Sequence, residues 1–211
     1  ESFIDSDILH GLVETGVHEH APLEGVQYRA FVDPSGGSAD SFTLAIAHRE
    51  NETVHLDAVR EVKPPFSPES VVDDFAKLLK SYRIGKVYGD RYAGEWPREQ
   101  FRKRKIEYKC ADRPRSDLYR DLLPLLNSGT VSLLDHKRTV SQLASLERKT
   151  SRAGQDRIDH GPGGHDDCAN AVAGALIMAN EKRKKSNTDI AGPVQVKDDY
   201  GGCGYSPFII Y

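Results

Sequence analysis

The stretch "GPGGHDDCANAVAGA", residues 161–175, decides how this chain is read. Its glycines leave the backbone free, a histidine and two adjacent aspartates follow, and small apolar residues come next. Ala169, Val172, Ala173, Leu176 and Ile177 recur at helical spacing, so a helix begins at the aspartates and buries that stripe. It runs into "EKRKK" (181–185), positive charge that suits the negative end of the helix dipole. One aspartate suffices to cap a helix start, so the second needs another partner. A helix N-terminus carries partial positive charge and free N–H groups, which lets it tolerate surplus carboxylate that a metal ion can use. Asp166 is the better placed N-cap, its oxygen accepting the N–H of Cys168 or Ala169, and Asp167 the better placed ligand.

Upstream, "YRAFVD" (28–33) is a short apolar run that stops at Pro34, and a residue before proline is pushed into extended conformation. "SFTLAIAHR" (41–49) alternates with the period of a strand, and "TVHLDAVREV" (53–62) is a third strand. The intervening "PSGGSAD" is turn chemistry, so these three strands form an antiparallel meander. "SPESVVDDFAKLLKSY" (67–82) is a helix with Ser67 as N-cap and Pro68 at its first position. "GKVYGD" (85–90) is a short buried strand, "EWPREQFRKRK" (95–105) a helix with Trp96 expected in the core, and "IEYKCAD" (106–112) a fifth strand. Residues 116–150 are expected to be mostly helical, broken near "NSGTVSLL", and 151–161 to be a polar hairpin or loop with Gly154 at its tip. The order is that of an α/β protein with a mixed central sheet, antiparallel strands 1–3 and then parallel ones, flanked by helices: a ribonuclease H-like architecture.

That order gives the acids addresses. Asp33 ends the first strand, Asp90 ends the fourth, and Asp166-Asp167 open the last helix. Neighbouring strands one and four would bring Asp33 and Asp90 together at one sheet end. Carboxylates so close resist joint ionisation unless a cation neutralises them, and Mg²⁺ or Mn²⁺ does so with oxygen ligands. Two such ions can activate a water and stabilise the leaving oxygen of a phosphoryl displacement. His165 can contact a metal or the attacking water, or be an ordinary loop histidine. Each aspartate alone is equally a turn former or cap; their joint placement carries the reading.

The bulk numbers fit. The chain has 211 residues, 38% hydrophobic and 29% charged, with no apolar run long enough to span a bilayer. It opens on Glu1 with no signal peptide, the expectation being a fragment of a longer protein. Cys110, Cys168 and Cys203 are too widely spaced for a zinc framework and are expected to be the reduced cysteines of an intracellular protein. Net charge is −3, but residues 98–157 hold 15 Lys and Arg against 8 Asp and Glu, a local +7 that suits a polyanion or a solvated face. Arg91, the run Arg102, Lys103, Arg104 and Lys105, and the cluster Arg148, Lys149 and Arg152 are the phosphate-contact candidates. Residues 1–25 are expected to be a linker, in which His18-Glu19-His20 can bind metal but more simply faces solvent; residues 26–185 the folded domain; and 186–211 a Gly/Pro/Asp-rich tail.

"FVDPSGG", "VYGDRYAGEW" and "GHDDCANAVAGAL", in that order, resemble the C-terminal nuclease domain of large terminase subunits, the DNA-packaging motors of tailed bacteriophages. The resemblance covers roughly residues 25–182. It implies a ribonuclease H-like endonuclease that cuts double-stranded phage DNA concatemers with two divalent ions, Mg²⁺ or Mn²⁺. Carried over, Asp33 bridges both ions, Asp90 is the second ligand, and Asp167 or Asp166 completes the site. It also implies an upstream ATPase domain, a small terminase subunit and a portal as partners, in the host bacterial cytoplasm. No G-x-x-x-x-G-K-[ST] loop occurs, so the ATPase lies outside this sequence. Two rivals share the residues: another ribonuclease H-like nuclease of the Holliday-junction resolvase or transposase type, and a non-catalytic DNA-binding module of the packaging motor. An actin-like ATPase would need a duplicated domain, for which an unrepeated chain of this length has no room.

Overall fold

Side-chain alternation along the first long strand sorts the whole molecule into layers. In a computed structural model, residues 2–38, 40–90, 95–150 and 156–181 are described; Arg91, Arg152, Gly154, the 182–185 basic run and the 186–211 tail lie outside them. Strands β2 (Tyr28–Asp33), β3 (Phe42–Glu50) and β4 (Thr53–Val62) form the antiparallel meander. With β1 (Val13–Glu14), β5 (Lys86–Gly89), β6 (Glu107–Cys110) and β7 (Val131–Leu134) they build a seven-stranded sheet in the order β1-β7-β4-β3-β2-β5-β6. β5 runs parallel to β2, β6 to β5, β7 to β4 and β1 to β7.

Ala30, Val32, Leu44 and Ile46 face one side and pack with α2 (Pro68–Ser81) and α3 (Glu95–Lys103). Phe31, Ala45, Ala47 and Leu56 face the other, against α1 (Ser6–Gly11), α4 (Arg115–Asn127), α5 (Lys137–Ala144) and α6 (Asp167–Asn180). Burying both faces is what lets these strands be apolar on both sides. The mixed sheet between helical layers is the ribonuclease H-like arrangement.

Helix α6 is buried on every side from Asp167 to Ala179, more than the expected single stripe. It lies between the sheet and α4 and α5, and its small residues allow the close approach. At Gly174 an added methyl would overlap the Phe31 ring. An extra methyl in a packed core typically costs about 1–3 kcal/mol, so Ala is excluded there on packing grounds.

Four expectations change. Residues 2–25 do not form a free linker: Phe3, Ile4 and Leu9 are buried, β1 adds an edge strand, and the Phe3 N–H donates to Leu146 O at 2.8 Å. The apolar spacing of that segment covers an α-helical layer that would otherwise face water. The "NSGTVSLL" break holds strand β7, whose Leu133 and Leu134 are buried. Residues 146–150 and 156–160 pair as a separate two-stranded ladder, β8 (Leu146–Thr150) and β9 (Asp156–His160). Trp96 is 40% exposed rather than core, because α3 turns Pro97, Gln100 and Phe101 inward instead.

Candidate metal centre

Phe31 packs against α6, so two residues on along β2 the Asp33 side chain falls on the same face, level with the start of that helix. The parallel register pairs Phe31 with Tyr88 and Val32 with Gly89, which sets Asp90 beside Asp33 at the ends of adjacent strands. Neighbouring strands lie about 4.8 Å apart, close enough for two carboxylates to share a cation. Gly89 has no room for a side chain because the Tyr108 ring lies over it, and Tyr108 donates its hydroxyl to Asp90 O at 3.1 Å.

The two helix-opening aspartates part company. Asp167 lines a cleft of about 310 Å³ with Asp33, Pro34, Ser35, Asp40, Ser41 and Arg115. Its Oδ2 accepts the Ser41 N–H at 3.3 Å, and its carbonyl accepts the Thr43 hydroxyl at 2.8 Å, which ties the helix start to β3. Asp166, only 3% exposed, turns the other way into α4. There it accepts from Arg115 Nη1 at 2.9 Å and from the Tyr119 hydroxyl at 2.9 Å. The expected cap bond to Cys168 or Ala169 is therefore absent: the Asp166 side chain caps nothing, and the Ala169 N–H is taken by Gln142 Oε1 of α5 at 3.0 Å. Gln142 and the guanidinium outcompete the local cap because both are fixed by packed helices.

Electrostatics follow from this crowding. Burial, then the Asp167 and Asp166 carboxylates, push Asp33 up to about 7, with Asn170 and Arg115 opposing. Burial also raises Asp167, with Asp40 and Asp166 adding to it. Burial and Asp166 hold the Tyr119 phenol well above its ordinary value, so it stays a donor. Beside Asp33, the buried Asn170 amide is the group that opposes this shift most. Crowded carboxylates that resist ionisation fit a hard divalent cation with oxygen ligands.

Among the described residues, one group already has three ligand atoms within 4.8 Å of one another: Asp40, His165 and Asp167. His165 Nδ1 lies 3.7 Å from Asp40 Oδ1. Sequence reasoning missed Asp40 and Arg115. Asp40 closes the β2–β3 turn seven residues after Asp33, and in "PSGGSAD" it looks like one more turn aspartate. Arg115, from α4, sat among the general basic excess; it spans Asp166 and Asp159, at 2.9 and 3.3 Å.

The basic candidates divide as well. Arg102 and Lys105 are exposed and line a 380 Å³ hollow with Arg98 and Tyr108. Lys103 pairs with Glu99 at 3.1 Å. Arg104 is not available to a ligand: only 13% of its side chain is exposed, and it bonds Asp73 at 2.6 Å and the Gln100 carbonyl at 2.9 Å, fastening α3 to α2. Arg148 lies 3.8 Å from Asp156 and over the Phe3 ring, and Lys149 donates to His160 O at 2.8 Å.

Sheet order and helical layers together make a ribonuclease H-like fold, and solved structures of that fold are similar over more than four-fifths of this chain. The nuclease domain of the large terminase from thermophilic phage G20c aligns over 82% of this chain and 97% of its own, at 16% identity and a TM-score of 0.70. The same nuclease with bound magnesium aligns over 84% and 98%, at 15% identity and TM-score 0.70. The large terminase of bacteriophage HK97 aligns over 83% of this chain but 43% of its own, at 15% identity and TM-score 0.61. No protein-family model matches the sequence, and no curated protein matches it. The fold is thus that of large terminase nuclease domains.

Proposed function

We propose that this domain is the nuclease of a phage DNA-packaging motor, a metal-dependent endonuclease that cuts double-stranded DNA concatemers. The observation that carries the reading is that Asp33, Asp40 and Asp167 line one cleft at the end of strand β2, beside the parallel strand that leads into Asp90. Similarity to terminase nuclease domains, one of them holding magnesium, supports it.

Asp33, Asp90 and Asp167 would hold two divalent ions, with Asp40 and His165 at the rim. Bound there, Mg²⁺ or Mn²⁺ supplies an activated water and stabilises the leaving oxygen of an in-line displacement. The chain's own residues prepare the site. Arg115 and Tyr119 hold Asp166 behind the cleft, Ser41 and Thr43 fix the helix start, and Tyr108 pins the Asp90 backbone. Arg102 and Lys105 offer exposed charge to DNA phosphates without sequence preference. In the full-length protein an upstream ATPase domain, a small terminase subunit and a portal are the expected partners, in the host cytoplasm.

Digestion of supercoiled plasmid tests the reading. Nicked and linear products should appear with Mg²⁺ or Mn²⁺ and vanish in EDTA. Undiminished cleavage in EDTA would refute it.

A further inference from the structure

The His18-Glu19-His20 motif does not lie on a free linker. The His20 N–H donates to Asp57 O at 2.9 Å, its carbonyl accepts from the Tyr82 hydroxyl, and its side chain is 30% exposed. It sits at the far end of β3 from the acidic cleft, where His48 and His55 face each other across the β3–β4 ladder. Glu14, His20, His48, His55 and Asp57 together line a cavity of about 860 Å³.

We infer that Glu14, His20 and His55 form a binding site for a first-row transition ion of the zinc type, distinct from the acidic cleft and independent of the nuclease reading. Asp57 sets the geometry. The ladder slips between Ile46 and Ala47, pairing Ile46 with Ala58 and Ala47 with Leu56, so Asp57 is the extra residue of a bulge. Its carboxylate, 1% exposed, lies 3.4 Å from His20 Nδ1 and 2.8 Å from His48 Nδ1. A carboxylate behind Nδ1 favours the tautomer that presents Nε2 as a ligand, one of the arrangements that stand behind metal-bound histidines.

His20 Nε2 then meets Glu14 Oε2 at 3.3 Å. Ligand atoms around a tetrahedral ion with bonds of roughly 2.0–2.1 Å are about that far apart. Ser132 donates to Glu14 and holds its carboxyl below the usual range, keeping it a charged ligand. His55 Nδ1 lies 3.9 Å from the other Glu14 oxygen, its ring stacked on His48 with centroids 5.1 Å apart. The His20–Glu14 pair is preset; the His55 ring, now beside the other Glu14 oxygen, has to swing towards His20 for all three to meet on one ion. Two imidazoles and one carboxylate select zinc-type ions over Mg²⁺, the reverse of the all-oxygen preference of the cleft. The ion fastens the β1 segment to β4.

The test uses the full chain carrying Asp33→Asn, Asp167→Asn and His165→Ala, which takes three of the candidate ligands out of the cleft. It should bind one equivalent of Zn²⁺, gain roughly 5 °C in Tm, and do so undisturbed by millimolar Mg²⁺. The imidazole NMR signals of His20 and His55 should shift while that of His10 stays. Glu14→Gln, close in shape to the original, should weaken Zn²⁺ at least tenfold with an unchanged Tm in EDTA, and His55→Ala should do the same. Failure to bind an equivalent of Zn²⁺, binding that Mg²⁺ displaces, or unshifted His20 and His55 signals would each overturn the inference. So would wild-type zinc affinity in Glu14→Gln.

Discussion

Replacing Asp33 by Asn tests whether the cleft stores unfavourable charge that a cation relieves. The Asp33 carboxyl titrates near 7, against an ordinary value of 3.8, chiefly because burial penalises its charge and secondarily because Asp167 and Asp166 repel it. The unfolded chain ionises first, so folding stability from this group is full below about pH 4 and is lost as pH rises towards 7. A gap of roughly three pH units at about 1.4 kcal/mol each sets a ceiling near 4 kcal/mol, and water entering the half-buried cleft reduces it to about 2 kcal/mol. Asn keeps the shape and drops the charge. In EDTA at pH 7.5 the variant should therefore melt roughly 4–8 °C above the parent, for a domain of this size. The difference should shrink to nothing at pH 4, and millimolar Mg²⁺ should stabilise the parent but hardly the variant. Cleavage should be abolished in the same variant. A melting temperature equal to the parent's in EDTA at pH 7.5 would show that Asp33 carries no such stress, and the electrostatic case for the metal centre would fail.

Two further predictions follow from the neighbouring charges. Arg115→Met strands the buried Asp166 carboxylate and should cost about 3 kcal/mol, while Tyr119→Phe should cost about 1 kcal/mol; adding Asp166→Asn should recover most of the Arg115 loss in a double-mutant thermal melt, and no recovery would disprove the clamp. Arg102→Ala with Lys105→Ala should weaken duplex DNA binding and flatten its salt dependence at unchanged Tm, whereas Arg104→Ala should lower Tm and leave the salt slope alone; fluorescence anisotropy across a salt series decides, and exchanged outcomes would reverse the assignments.

The meander, α2, α6 and the addresses of Asp33 and Asp90 were legible because each rests on local signals: period-two alternation, a proline stop, a helical stripe. Residues 2–25 were not, since Phe3, Ile4 and Leu9 become a core only once α4, α5 and the β8–β9 ladder exist to receive them. β7 was hidden for a similar reason: Val131–Leu134 is four residues long, too short to tell from a helix break by pattern. Arg104 was misassigned because a run of four basic residues looks uniform in sequence, while a helix end spreads them round its axis and turned this one into α2.

The double aspartate shows the same limit at the site itself. Successive residues at a helix start point about 100° apart, so two adjacent carboxylates cannot serve one ligand position equally. Sequence supplies the pair but not the partner that each finds. Here α4 brings Arg115 and Tyr119 to one side, and the β2–β3 turn brings Asp40 and Ser41 to the other. Asp166 is spent on the cation and the phenol, which leaves Asp167 facing the cleft with Asp33. The Asp166 carboxylate beside the site opposes further negative charge on Asp33. Arg115 offsets that repulsion without occupying a ligand position, so the cleft keeps enough acid to hold cations while the helix start keeps its fold without them.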